Sequence, residues 1–125
     1  MACILIVDDS PAEVEKLARV LEKNGHQVLT PDNGADGVAL AKQEQPDAVL
    51  MDSVMPDLNG FQATRQLTRI AATEHIPVII ITTKDQETDR VWGQRQGAKD
   101  YLIKPLDETT LIKSLDTVLA AAQLR

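Results

Sequence analysis

Four short apolar runs, each closed by a polar residue able to act on a charged ligand, limit what this chain can fold into. Ile4 to Val7 ends at Asp8 and Asp9, Ala48 to Met51 at Asp52, Val78 to Ile81 at Thr82, and Tyr101 to Ile103 at Lys104, with Pro105 next. Segments of helical periodicity lie between them, and strand-like runs alternating with helices are the signature of an α/β chain. Ligands of an open parallel sheet bind in the crevice beyond the carboxyl ends of its strands. If these runs are parallel neighbours, three carboxylates, a hydroxyl and an ammonium meet along one edge. That set suits a divalent cation together with a phosphoryl group.

The first helix is the clearest. Ser10 is its candidate N-cap, Pro11 suits the first helical position, and Glu13 completes a Ser-x-x-Glu capping box. Val14, Leu17, Ala18 and Leu21 follow at helical spacing, and Asn24-Gly25 ends the run. A short strand is expected over residues 27–30, a turn at Asn33-Gly34, and a second helix over about 35–43. Pro46 begins the strand that delivers Asp52, and Pro56, Asn59 and Gly60 form the loop after it. A third helix is expected over about 60–70 and a fourth strand over 78–81. The fourth helix spans about 86–96, capped by Asp85 and stopped by Gly97, and the fifth strand about 101–103. Asp107 caps the last helix, whose apolar face is Leu111, Ile112, Leu115, Val118, Leu119 and Ala122. Residues after about 121 are expected to fray. Five βα units fill the 125 residues. The expectation is one domain, residues 1–125, with no separate output domain.

Strands one, three and four are apolar throughout, as interior strands covered on both faces should be. Gln27-Val28-Leu29-Thr30 is more polar and belongs at an edge. The order 2-1-3-4-5 satisfies this. Right-handed crossovers then put helices one and five on one face and helices two, three and four on the other.

Composition narrows the partners. A net charge of −6 argues against a nucleic-acid surface, which needs a basic patch. No apolar stretch approaches the roughly 20 residues of a membrane span. Met1-Ala2-Cys3-Ile4 lacks the features of a signal peptide. A single cysteine excludes an internal disulfide, and Cys3 reads as a small buried hydrophobe. The expectation is a cytoplasmic protein that neither inserts in membranes nor binds nucleic acid. Trp92 reads as a helix residue packed on the protein, and His26 and His75 as loop residues rather than phosphoryl carriers. Phe61, Leu67 and Ile70 read as core.

Three carboxylates held together repel strongly where the medium is less polar than water. Mg2+ (or Mn2+) relieves that repulsion and prefers oxygen ligands. Asp9 and Asp52 are the candidate direct ligands, the backbone carbonyl of Val54 a third, and Asp8 a ligand through water. Asp52 has a second capacity, because a carboxylate oxygen can attack phosphorus and form an acyl phosphate. The transferring group spreads charge over three oxygens. The cation takes one, Lys104 another, and Thr82 with the backbone N–H groups near Ser53 and Thr83 the rest. Pro105 after Lys104 is a candidate cis bond that aims the lysine inward.

Asp8-Asp9, Asp52, Met55-Pro56, Asn59-Gly60, Thr82, Gly97-Ala98, Tyr101 and Lys104-Pro105, at their joint spacing, resemble the receiver domain of two-component response regulators. The resemblance covers essentially the whole chain. It implies the flavodoxin-like (CheY-like) (βα)5 fold, a phosphoaspartate at Asp52 and a sensor histidine kinase as phosphodonor. It further implies a switch using Thr82 and Tyr101, in which the tyrosine turns inward on phosphorylation. A downstream protein would then dock on the face of helix four, strand five and helix five. More narrowly, Leu58 to Arg65 and Thr82 to Asp89 resemble the PilH-type regulators of the chemosensory system for type IV pilus twitching motility. One departure is Thr83, where receivers usually carry Ala or Gly. A β-branched residue there should narrow access to Asp52.

On this reading the chain is a signalling switch that catalyses its own phosphotransfer and dephosphorylation, not a turnover enzyme. A phosphate sink for a shared kinase is the near alternative. A magnesium-dependent phosphatase with an aspartyl nucleophile is the distant one, and Asp52-Ser53-Val54 lacks the second acid of its Asp-x-Asp motif. A flavodoxin-like cofactor binder is disfavoured, since Asp8 and Asp9 would repel its phosphate.

Overall fold

The structure is a computed structural model and describes residues 2–123. Strands and helices alternate from end to end: β1 (Cys3–Val7), α1 (Pro11–Lys23), β2 (Gln27–Leu29), α2 (Gly34–Glu44), β3 (Ala48–Met51), α3 (Gly60–Arg69), β4 (Val78–Thr82), α4 (Glu87–Arg95), β5 (Asp100–Ile103) and α5 (Glu108–Gln123). The strands form one parallel sheet in the order β2-β1-β3-β4-β5, as the polarity of residues 27–30 predicts. α5 continues through Gln123, and the expected fraying falls partly on residues 124 and 125, outside the described residues.

The sheet's side chains alternate between two cores, as strand geometry requires. Ile4, Ile6, Leu50, Ile79 and Ile81 face Leu17 and Leu21 of α1 and Leu111, Leu115 and Val118 of α5. Leu5, Val7, Val49, Met51 and Val78 face Val38 and Ala41 of α2 and Ala63 and Leu67 of α3. Burying a residue of this kind contributes about 1.5–3 kcal/mol, so the sheet's centre carries most of the stability.

A third, smaller cluster joins Phe61, Ile80, Ala98 and Tyr101. Here α4 contributes a single buried residue, Gly93. A Cβ at Gly93 would lie 3.0 Å from the Tyr101 ring and 3.1 Å from Ile80 Cδ1, so the helix rests on the sheet through its backbone. Trp92 is one position off that contact and stands 49% exposed, against the expectation that it packs. A 100° step around the helix turns it away from the sheet.

The helix starts depart from the sequence reading in two places. Ser10 Oγ accepts from Glu13 N–H at 3.5 Å, which is half of the expected capping box. The N–H of Ser10 that the other half would use donates to Asp8 Oδ1 instead. Asp85 does not cap α4; the N-cap is Gln86, whose side chain makes no cap bond. The reciprocal box is at α3, between Asn59 and Gln62. Asp107 caps α5 as expected, accepting from Thr110 N–H at 2.8 Å.

Candidate functional site

Backbone pairing brings the polar residues together. Asp52 N–H donates to Val7 carbonyl at 2.9 Å, tying the end of β3 to the end of β1. Lys104 N–H donates to Thr82 carbonyl at 2.8 Å, tying β5 to β4. The residues just beyond four neighbouring strands therefore share one edge. The Lys104-Pro105 peptide bond is cis.

Asp8, Asp9 and Asp52 each offer a carboxylate oxygen within 4.8 Å of the others. It is the only such group of three among the described residues. Asp8 and Asp52 are buried and Asp9 is exposed, so the cluster opens to solvent on one side. Lys104 Nζ lies 3.0 Å from Asp8 Oδ2 and 3.9 Å from Asp52 Oδ1. Burial raises the Asp52 carboxyl to about 6, and Asp8 and Asp9 push the same way. Lys104 and the Val54 N–H, 3.4 Å from Asp52 Oδ1, offset only part of this. A buried carboxylate facing two more, with one ammonium between them, is short of positive charge. The donor set is all oxygen, which fits Mg2+ or Mn2+ and not a soft metal.

Gly60 holds the acid loop from behind. A Cβ there would sit 1.9 Å from the Asp52 carbonyl oxygen and 2.6 Å from Ser53 Cα. Only glycine allows α3 to approach so closely, and its N–H donates to Ser53 carbonyl at 3.1 Å.

The hydroxyl of Thr82 has two partners. It accepts from Lys84 N–H at 3.2 Å and shares a 2.6 Å bond with Ser53 Oγ. Ser53 is 2% exposed and Thr82 fully buried. Sequence reasoning used the backbone of Ser53 and missed its side chain. The signal was its place next to Asp52, but nothing local says that this hydroxyl reaches β4.

Tyr101 is turned in. Its ring is 2% exposed and its OH donates to Lys84 carbonyl at 2.9 Å. The Arg90 guanidinium carbon stands 5.4 Å from the ring centroid, and Arg90 Nη1 donates to Tyr101 carbonyl at 3.1 Å. Gly93 leaves the space the ring fills, and Arg90 closes over it.

Val54 and Thr83 border the site, whereas the two histidines lie apart from it. Val54 is 53% exposed. Thr83 is exposed and lines a recess of about 230 Å3 with Lys104 and Pro105. His26 Nδ1 accepts from Ala2 N–H. It lines, with His75, Asp47 and Asp116, an open recess of about 760 Å3 at the opposite end of the sheet. That recess exceeds the two of about 230 and 280 Å3 that Lys104 and Asp8 line, and the one carboxylate cluster among the described residues lies outside it.

Among the described residues no helix is long and apolar enough to cross a membrane. The chain is 72% identical over 120 residues to protein PilH of Pseudomonas aeruginosa, covering 96% of this chain and 99% of that one. It is 40% identical over 110 residues to response regulator PleD of Caulobacter vibrioides, spanning 88% of this chain but 24% of PleD. The fold superposes on the chemotaxis protein CheY4 of Vibrio cholerae with a TM-score of 0.89 at 29% identity, covering 94% and 98% of the two chains. It superposes equally on the receiver domain of a Pseudomonas aeruginosa sensor histidine kinase, TM-score 0.88 at 29% identity over 95% and 98%. That receiver holds a magnesium ion in its active-site cleft. Residues 4–116 match the response regulator receiver domain. With that match over most of its length, the chain belongs to the response regulator receivers, signalling switches whose phosphodonor is a histidine kinase.

Proposed function

We propose that the chain is a single-domain response regulator that takes a phosphoryl group on Asp52 and signals by contact with another protein. The observation that carries this is the acidic edge itself: three carboxylates and Lys104 gathered beyond β1, β3 and β5. The proposed pathway is the PilH-type chemosensory control of twitching motility in the cytoplasm, supported by 72% identity to PilH over nearly its full length.

Asp8, Asp9, Asp52 and the Val54 carbonyl are the residues that would hold Mg2+. Bound there, the ion would neutralise phosphoryl charge as a Lewis acid. Asp52 is ionised in most molecules at neutral pH, with its carboxyl at about 6. Its oxygen attacks phosphorus, the nitrogen–phosphorus bond of the kinase's phosphohistidine breaks, and the imidazole leaves with the bonding pair. Lys104 places a positive charge against the transferring oxygens, and the Thr82 hydroxyl donates to another. Tyr101 carries the change to the face of α4, β5 and α5, where Val91 and Trp92 stand exposed.

Incubation with a phosphorylated histidine kinase and Mg2+ should give one base-labile phosphate by intact mass. Asp52→Asn should keep the fold and take up none. Full incorporation in that variant would refute the assignment. Asp9→Ala should abolish the rise in melting temperature that Mg2+ produces by mass action, and an unchanged rise would remove Asp9 from the ligand set.

A further inference from the structure

We propose that Ser53 is a positioning residue for this switch. Its hydroxyl partners Thr82 and so fixes the hydroxyl to which Lys84, and through it the inward Tyr101, is linked. The inference rests on Asp52 being the phosphoacceptor and Thr82 the responding hydroxyl.

Ser53 Oγ and Thr82 Oγ1 are 2.6 Å apart, both side chains out of water. Among the described residues, Thr82 is the sole hydrogen-bond partner of Ser53 Oγ. The serine cannot swing away with its backbone, because Gly60 packs on its Cα and donates to its carbonyl. Thr82 Oγ1 also accepts from Lys84 N–H, and the carbonyl of Lys84 accepts from Tyr101 OH. One contiguous set of hydrogen bonds thus runs from the residue beside Asp52 to the Tyr101 ring. That ring is seated on Gly93 and under Arg90.

Proton counting explains how the set works. Thr82 has one hydrogen and two lone pairs. Lys84 N–H occupies one lone pair. Without phosphate, Thr82 can donate to Ser53. A phosphoryl oxygen only accepts, so a phosphorylated Asp52 requires the Thr82 hydrogen, and Ser53 then donates to the second Thr82 lone pair. Ser53 and Thr82 can thus stay paired in both states, with the direction of their bond reversed.

The test exploits the single tyrosine of the chain. The full chain, with carbon-13 in tyrosine, is compared as wild type, Ser53→Ala and Ser53→Thr. Solvent accessibility of the Tyr101 ring is read by NMR, first with no phosphoryl mimic and then with beryllofluoride and Mg2+. The wild-type ring should be protected in both conditions. Ser53→Ala should lose that protection without the mimic and recover it with saturating mimic. Its beryllofluoride affinity should fall roughly fivefold, the worth of one ordinary hydrogen bond. Ser53→Thr, which keeps a hydroxyl, should behave as wild type. A merely structural serine would lower the melting temperature without moving the ring, and a ring equally protected in Ser53→Ala overturns the inference. Failure of beryllofluoride to bind wild type would instead overturn the phosphoacceptor reading, while the first arm still reports on Ser53.

Discussion

The two halves of the sheet are built to different standards. β1 and β3 are sandwiched between α1 and α5 on one side and α2 and α3 on the other, and Ile4 to Val7 and Ala48 to Met51 are almost wholly buried. β5 has only Tyr101 fully buried, and its covering helix α4 buries only a glycine. The acid cluster hangs from the first half and the tyrosine from the second. Elements with few buried apolar contacts open and shift at the least cost. The acids therefore sit where the chain should be hardest to deform, and the proposed readout at Tyr101 where it should be easiest.

The largest blow to that contrast should come from the packed half. Leu50 is 1% exposed at the centre of β3. Leu50→Ala should cost about 2–5 kcal/mol in urea unfolding. A loss no greater than that of a surface substitution would mean that β3 is not the rigid base described.

The acid cluster should show a smaller effect of distinctive sign. Asp52 carries a carboxyl raised to about 6, against 3.8 for the ordinary group. Between those values the folded protein keeps a proton that the unfolded chain releases. The contribution to stability is therefore fully present below about pH 4, declines as pH rises, and is lost above about pH 6. In metal-free buffer the wild type should lose on the order of 2–3 kcal/mol relative to Asp52→Asn across that window. A wild-type minus variant difference that stays flat from pH 4 to 7 would contradict the burial argument.

The smallest stability effect belongs to α4. Trp92→Ala should change unfolding free energy by no more than about 0.5 kcal/mol, since the side chain is half exposed. The same variant should weaken capture of the downstream protein, because exposed Trp is a common anchor of interfaces. Unchanged partner affinity would refute the proposed docking surface at α4.

Much of this was legible along the chain. The polar residue at the end of each apolar run reads directly as a site candidate, and Asp8, Asp9, Asp52 and Lys104 do meet. The polarity of Gln27 marks β2 as an edge, and the sheet order follows. Helix ends were less legible. Asp85 has the composition of a cap, but α4 begins at Gln86 without a side-chain bond. Ser10 and Glu13 have the spacing of a reciprocal box, but Asp8 competes for the same N–H.

What the sequence determined by itself is periodic or local: the alternation of elements, the apolar strands, and which polar residue follows each one. Those depend on a residue and its near neighbours, so one-dimensional pattern is enough. The tertiary structure alone decided that Ser53 meets Thr82, that Tyr101 is buried with its OH on Lys84, and that Trp92 turns outward. Each depends on the register of strands distant in sequence, such as Met51 beside Ile80 and Ile80 beside Tyr101, and on how closely a glycine lets a helix approach. Register and approach distance are set by packing between distant segments, and no local pattern encodes them.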